Sequence, residues 1–392
     1  MAFKLAIKNF GPIKAASLNF KRVNVLIGPQ SSGKSTILKI ASFCNWLEKQ
    51  IQLSQDPMKW VSQQSIKDQL LSFHRLEGYA VAGSEIAFKS ETIAICIRFG
   101  MQNRIETDFH WCDHKRWTYK RTKNTYIPAE RNIVAAIPNW IDINFDRFNN
   151  LRNYMAEWGT ARKFFDQSHK LEIQEMGVSY FYDQSEEIDK VVQNGKTIKF
   201  SNASSGLQSF IPQYTLLSYL FDNALYNEPA SLRKLETIAH IKRVIEQDPS
   251  LKRADVLDHY QRNNGVKVFL EEPEQNLFPR TQYGLIKWLA RKLNGNKLNE
   301  LFVSTHSPYI LSSLNNLIQA HESSQIGNAS KSIVKKIMKQ ADFVNFEDVS
   351  VYGIDKGRAK TLLDKENRLI SQSFLDSASI DISNEFSRLL DV

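Results

Sequence analysis

No stretch of this 392-residue chain approaches the roughly 18 uncharged apolar residues needed to cross a bilayer, which argues against a membrane protein. The first twenty residues, MAFKLAIKNFGPIKAASLNF, lack the apolar block of a secretory signal and alternate instead like a pair of strands. Cysteine is scarce: Cys44, Cys96 and Cys112 stand far apart in sequence and give no disulfide framework. Sustained heptads and internal repeats are both missing, which excludes a long coiled-coil arm and a solenoid. What remains, 42% hydrophobic and 24% charged, is ordinary globular composition. A cytoplasmic location is the simplest expectation.

Negative charge runs short in one part of the chain only. Residues 1–125 hold 19 Lys/Arg against 9 Asp/Glu, whereas the rest hold 32 against 33, so the net +9 sits in the first third. It is densest in HKRWTYKRTK (114–123). A basic face can bind duplex DNA by releasing counterions; a solvated hairpin tip would carry the same charge.

The most informative stretch is RVNVLIGPQSSGKSTILKIASF. Val23, Val25, Leu26 and Ile27 read as a buried strand, while Ile37, Leu38, Ile40, Ala41 and Cys44 follow helical spacing. Between them Gly28 to Ser35 fits G-x-x-x-x-G-K-[ST]. Phosphates need such a loop because glycines let consecutive N–H groups and the helix N-terminus face them. Gly28, Pro29, Gln30, Ser31, Ser32, Gly33 and Thr36 are the expected cradle. Lys34 is expected to bridge the β- and γ-phosphates, and the Ser35 hydroxyl to ligate Mg²⁺. The chain is therefore read as binding a nucleoside triphosphate.

A second apolar strand, GVKVFLEEPEQNLFP, ends at Glu271-Glu272. Two acids at a strand's C-terminal edge fit an outer-shell Mg²⁺ ligand, Glu271, followed by a base that orients the attacking water, Glu272. A third strand, ELFVSTHSPYIL, ends in Ser304-Thr305-His306-Ser307, 34 residues after Glu272, with a helical stretch between. Strand–helix–strand predicts parallel neighbours whose C-terminal ends share one rim, where His306 reaches the γ-phosphate.

Together these residues resemble the ABC-type ATPases of the SMC/RecF/OLD group. The matching pieces, in family order, are IKNFGPIKAASLNF, the Walker A GPQSSGKST, a signature-like ASSGLQS, the Walker B VFLEEPE, a D-loop-like QNLFP and the switch-histidine STHSP. They frame essentially the whole chain. The nearest likeness is to small bacterial AAA-type ATPases that work in antiphage defence beside a separate nuclease or toxin subunit. The resemblance implies an α/β P-loop NTPase: an ABC-like head with a mixed central sheet, an antiparallel side-sheet and helical insertions. It also implies a homodimer or higher homo-oligomer closed around ATP, each site capped in trans by Ser204, Ser205 and Gly206 of the other copy. A DNA repair or replication clamp and a non-hydrolysing, nucleotide-stabilised scaffold are the alternatives.

Two departures stand out. Glu271 replaces the more usual Asp, and Ser205 stands where the family has a second glycine. NTYIPAERN (124–132) falls where the family places its Q-loop but holds no glutamine; Glu130 or Arg131 takes that role, or the segment is a strand-to-helix corner broken by Pro128. The expected organisation is one head over 1–392. Residues 1–135 carry Walker A and the side-sheet, 136–262 a helical insertion with the signature loop, and 263–392 Walker B, the switch histidine and a closing hairpin.

Overall fold

The alternation of the first residues becomes a hairpin of β1 (Phe3–Phe10) and β2 (Ile13–Phe20) in the computed structural model, which describes residues 2–137, 148–224, 232–246, 253–371 and 383–389. Fully buried β3 (Val23–Ile27) leads through the glycine loop into α1 (Lys34–Ser54). Residues 57–72 are helical in short pieces, α2 (Pro57–Trp60), α3 (Gln63–Ile66) and a π-helical turn to Ser72. Antiparallel β4 (Ala80–Lys89), β5 (Ile93–Phe99) and β6 (Ile105–Trp111) follow, then β7 (Thr122–Ile127) and the single turn α4 (Ile133–Ala136).

The helical insertion expected over 136–262 begins, among the described residues, with α5 (Asn150–Arg162), and residues 171–173 are extended. A small antiparallel sheet of β8 (Leu171–Ile173), β9 (Val178–Asp183), β10 (Ile188–Gln193) and β11 (Lys196–Lys199) then delivers α6 (Ser205–Tyr219). After α7 (Leu232–Glu246) and α8 (Arg253–Gln261) come β12 (Gly265–Glu271), α9 (Pro279–Asn294), β13 (Glu300–Thr305), α10 (Pro308–Gln325) and α11 (Asn328–Ile337). The hairpin of β14 (Val349–Asp355) and β15 (Arg358–Thr361) completes the main sheet.

That sheet is α/β and mixed, in the order β6-β5-β4-β1-β2-β15-β14-β3-β13-β12-β7. The expected side-sheet is continuous with the central one. The β14–β15 hairpin stitches them: β14 runs parallel to β3, and β15 turns back to meet β2 at Arg358 and Ala15. On the other side, β3, β13, β12 and β7 are consecutive parallel neighbours. Being covered on both faces, β3, β12 and β13 are buried along their whole length, which is why they read as unbroken apolar runs.

The pleat sorts these residues into two layers. Val23, Val25, Val268, Leu270, Leu301 and Val303 join the core under α5, α6, α9 and α10. Leu26, Phe269 and Phe302 join the opposite core with α1 and the antiparallel strands, where the rings of Phe269 and Phe302 stack at 4.5 Å. Among the described residues no helix is long and apolar enough to cross a membrane.

Within the basic run, read as a DNA-binding face or a solvated hairpin tip, two cations are engaged inside the fold. The Arg116 guanidinium lies 4.1 Å over the Trp111 ring and 5.0 Å from Trp117, and its Nε donates to Gln55 at 2.9 Å. The Arg121 amide donates to His259 O, and its side chain reaches the Tyr260 and Gln261 carbonyls. Tyr119 packs with Ile241, Ile245, Val256 and Tyr260 into a third, small core. These aromatics pull the segment into a corner between the end of α1 and the α7–α8 pair, so two of its cations hold the fold together.

Candidate functional site

Parallel register puts the C-terminal ends of three strands on one rim. Ile27 pairs with Thr305 and Ser304 with Glu271, so the glycine loop, His306 and Glu272 emerge side by side. Gly33 starts α1 at φ 102°, and a Cβ there would stand 2.2 Å from Ile13 Cδ1. Only glycine takes that left-handed conformation against so close a neighbour.

The Lys34 side chain, 4% exposed, folds back over its own loop. Its Nζ donates to Gly28 O at 2.8 Å and Pro29 O at 2.7 Å, and stands 3.5 Å from His306 Nδ1. Burial lowers its pKa to about 8, with Glu272 and Glu274 opposing the shift. His306 Nε2 lies 3.5 Å from Glu272 Oε1, and the His306 amide donates to Glu274 Oε1 at 2.7 Å. An ammonium, an imidazole and a carboxylate thus form one chain of contacts.

These groups border a cleft of about 600 Å³. Its floor is Gln30, Ser31, Gly33, Lys34, Ser35 and Thr36; Glu272 and His306 stand at one wall. The opposite wall was not foreseen: it is Gly11, Pro12, Gly78 and Tyr79. The Gly11 amide donates to Tyr79 O at 2.8 Å, and a Cβ on Gly11 would meet the Tyr79 ring at 2.4 Å. The turn between β1 and β2 therefore holds an aromatic ring beside the phosphate loop. The sequence signal for this wall was only the Asn-Phe-Gly-Pro turn; nothing marked Tyr79 as its partner.

The remaining expected residues fall in two places. Ser35 lines the cleft and offers the hydroxyl oxygen that a hard divalent cation takes. Glu271 does not line it; its Oε1 accepts from the Tyr126 hydroxyl and its Oε2 from the Ala129 amide at 3.2 Å. Burial and the Glu271 charge hold the Tyr126 hydroxyl protonated, well above its usual range. Gly28, Pro29 and Ser32 complete the loop, with Gly28 and Pro29 supplying the carbonyls that Lys34 binds.

Ser204, Ser205 and Gly206 form the start of α6, with Ser204 as its cap, accepting from the Leu207 amide at 3.5 Å. Both serines are exposed, and none of the three residues lines the cleft of its own chain. In the 124–132 segment Glu130 pairs with Arg75 at 2.7 Å, while Arg131 is wholly buried behind Glu271 and Glu272.

None of the curated proteins matches this sequence. Similar solved structures include the recombination mediator protein RecF–ATPrS of the RecFOR pathway, at 10% identity over 92% of this chain and 98% of that one, TM-score 0.38. They also include cbiO1 from Clostridium perfringens, part of the ABC transporter complex cbiONQ, at 9% identity over 100% of both chains, TM-score 0.32. The family model described as AAA ATPase domain matches residues 1–99 and 142–311, which spans well over half the chain and takes in the phosphate loop, Glu271, Glu272 and His306. The chain belongs to that AAA ATPase domain family.

Proposed function

We propose that the protein is an ATP-driven switch: it binds and hydrolyses ATP, closes as a homodimer around it, and through that change of shape controls a separate effector. One observation carries the reading. Lys34, His306 and Glu272 contact one another along a cleft lined by the phosphate loop, while the exposed Ser204–Ser205 helix start does not line it.

In this reading Lys34 leaves the Gly28 and Pro29 carbonyls for the β- and γ-phosphates, and the Tyr79 ring gives the purine a platform beyond Thr36. Ser35 would hold a Mg²⁺ ion together with the nucleotide's phosphate oxygens and water. When bound, such an ion neutralises phosphate charge and polarises the leaving group. Glu272 accepts a proton from the attacking water, which it orients, and His306 hydrogen-bonds the γ-phosphate. Glu271, spent on Tyr126 and Ala129, fixes the neighbouring corner. The α6 N-terminus, with its free amides, is an anion site whose anion comes from the second copy.

Closure follows if ATP has greater affinity for the closed pair than for the open one. The likeness of the motifs to small bacterial AAA-type ATPases of antiphage defence supports the reading that the effector is a separate nuclease or toxin subunit. A duplex-DNA clamp is the weaker reading, since Arg116 and Arg121 are engaged within the fold.

Glu272→Gln should trap dimers with ATP on a sizing column, and adding Ser205→Arg should restore monomers that still bind ATP. Equal elution of Glu272→Gln with and without ATP would overturn the switch.

A further inference from the structure

We propose that Arg131 is a positioning residue that ties the backbone of Glu272 to the helix beginning at Ser204–Gly206, so that engagement of that helix sets the catalytic geometry. The inference rests on the ATPase reading above. Arg131 lies within residues 100–141, which the family model does not match.

The Arg131 side chain is 0% exposed, yet its hydrogen bonds go to backbone carbonyls and none to a carboxylate. Its Nε donates to Ser209 O in α6 at 3.1 Å, its Nη1 to Glu271 O at 2.8 Å and its Nη2 to Glu272 O at 2.6 Å. A guanidinium presents its donors in a fixed planar fork, so it holds three carbonyls in one plane as no flexible ammonium does.

Those carbonyls belong to the two places that matter for turnover. Glu272 has φ 42°, a conformation a side-chain-bearing residue keeps only when its surroundings enforce it. Three bonds hold it: the Glu272 amide to Ser304 O at 2.8 Å, and on the Glu272 carbonyl the Gln275 amide at 3.0 Å and Arg131 Nη2 at 2.6 Å. The same turn is fastened to α6 twice more. Gln213 Nε2 donates to Pro273 O at 3.1 Å, and Asn276 Nδ2 to Ser209 Oγ at 2.8 Å. A shift of the α6 start therefore moves the Glu272 backbone, and with it the carboxylate beside His306.

A γ-phosphate sensor would face the cleft; Arg131 is sealed behind the strand end and does not line it. Loss of Arg131 should therefore change turnover and leave ATP affinity alone.

The test uses the full chain with ATP and Mg²⁺, measuring turnover by phosphate release and Kd by calorimetry. Arg131→Met should lower kcat by about 100-fold, the scale of a misplacement near 1 Å, with Kd within about threefold of wild type. In a Glu272→Gln background the same change should cost less than about threefold further, because it acts through Glu272. Arg131→Lys, which reaches one carbonyl at a time, should fall between. If Arg131→Met does not fold, Gln213→Leu with Asn276→Ala decides, with the same split expected at about tenfold in kcat. Unchanged kcat, a Kd that rises in step with the kcat loss, or full additivity with Glu272→Gln would overturn the proposal. A wild-type chain that binds no ATP, or releases no phosphate, would instead remove the ATPase reading and this inference with it.

Discussion

Lys34 gives the ATP reading a pH dependence whose sign and size follow from its burial. With its pKa lowered to about 8, the free protein at pH 7 carries the ammonium almost fully protonated. At pH 9 only about a tenth of molecules do. A triphosphate binds the protonated form, so the apparent Kd is the intrinsic value divided by that fraction. Affinity for ATP should thus weaken roughly tenfold between pH 7 and pH 9, and by about tenfold per unit above that while the bound pKa stays higher. Stability of the free protein should move the other way. The unfolded chain, with Lys at 10.5, binds more protons between pH 8 and 10.5, so folding gains stability as pH rises through that window. The full gain is on the order of 3 kcal/mol. Calorimetric titration of ATP at pH 7, 8 and 9 reads the first effect, and urea melts of wild type against Lys34→Met isolate the second from the tyrosines that also titrate there. A Kd flat from pH 7 to 9, or the same slope in Lys34→Arg, would refute the assignment.

Two other outcomes test separate parts of the structure. Tyr79→Ala should raise the Kd for ATP by about 5- to 100-fold, the scale of one base stack, while Tyr79→Phe should not; binding of inorganic tripolyphosphate, which has no base, should be unchanged in both. Lys267→Met should destabilise the fold by about 3–5 kcal/mol in urea melts, because it removes the ammonium that stands 3.3 Å from the Glu300 carboxylate, itself 1% exposed.

The parts of this molecule legible in the sequence are those whose physics is local. Continuous apolar runs marked β3, β12 and β13, and the strand–helix–strand spacing put Glu272 and His306 on the rim that holds the glycine loop. Contacts between distant segments left no such mark. Tyr79 meets Gly11 across 68 residues of sequence, and Arg131 finds three of its acceptors 78, 140 and 141 residues away. A buried arginine in a Pro-Ala-Glu-Arg corner reads the same as an exposed one. The continuity of the sheet hangs on the short β15, too brief to announce which strand it would join. The basic run was legible only as charge, whereas the tryptophan and carbonyl partners of Arg116 and Arg121 became neighbours only on folding.

The corner that absorbs those cations sits at the far end of α1. Three contacts fasten it there: Tyr260 hydroxyl to Gln52 at 2.9 Å, His240 Nε2 against Ser54 O at 2.8 Å, and Arg116 on Gln55. Helix α1 has 21 residues, hence about 31 Å of stiff rod with the phosphate loop at its other tip. A rod magnifies rotation: a tilt of about 5° at the loop carries the opposite tip through nearly 3 Å, about half a helical turn of rise. The α7–α8 pair is thereby fastened to the tip of a stiff rod whose other end carries the phosphate loop, so the proposed switch would have a route from the cleft to the outer corner.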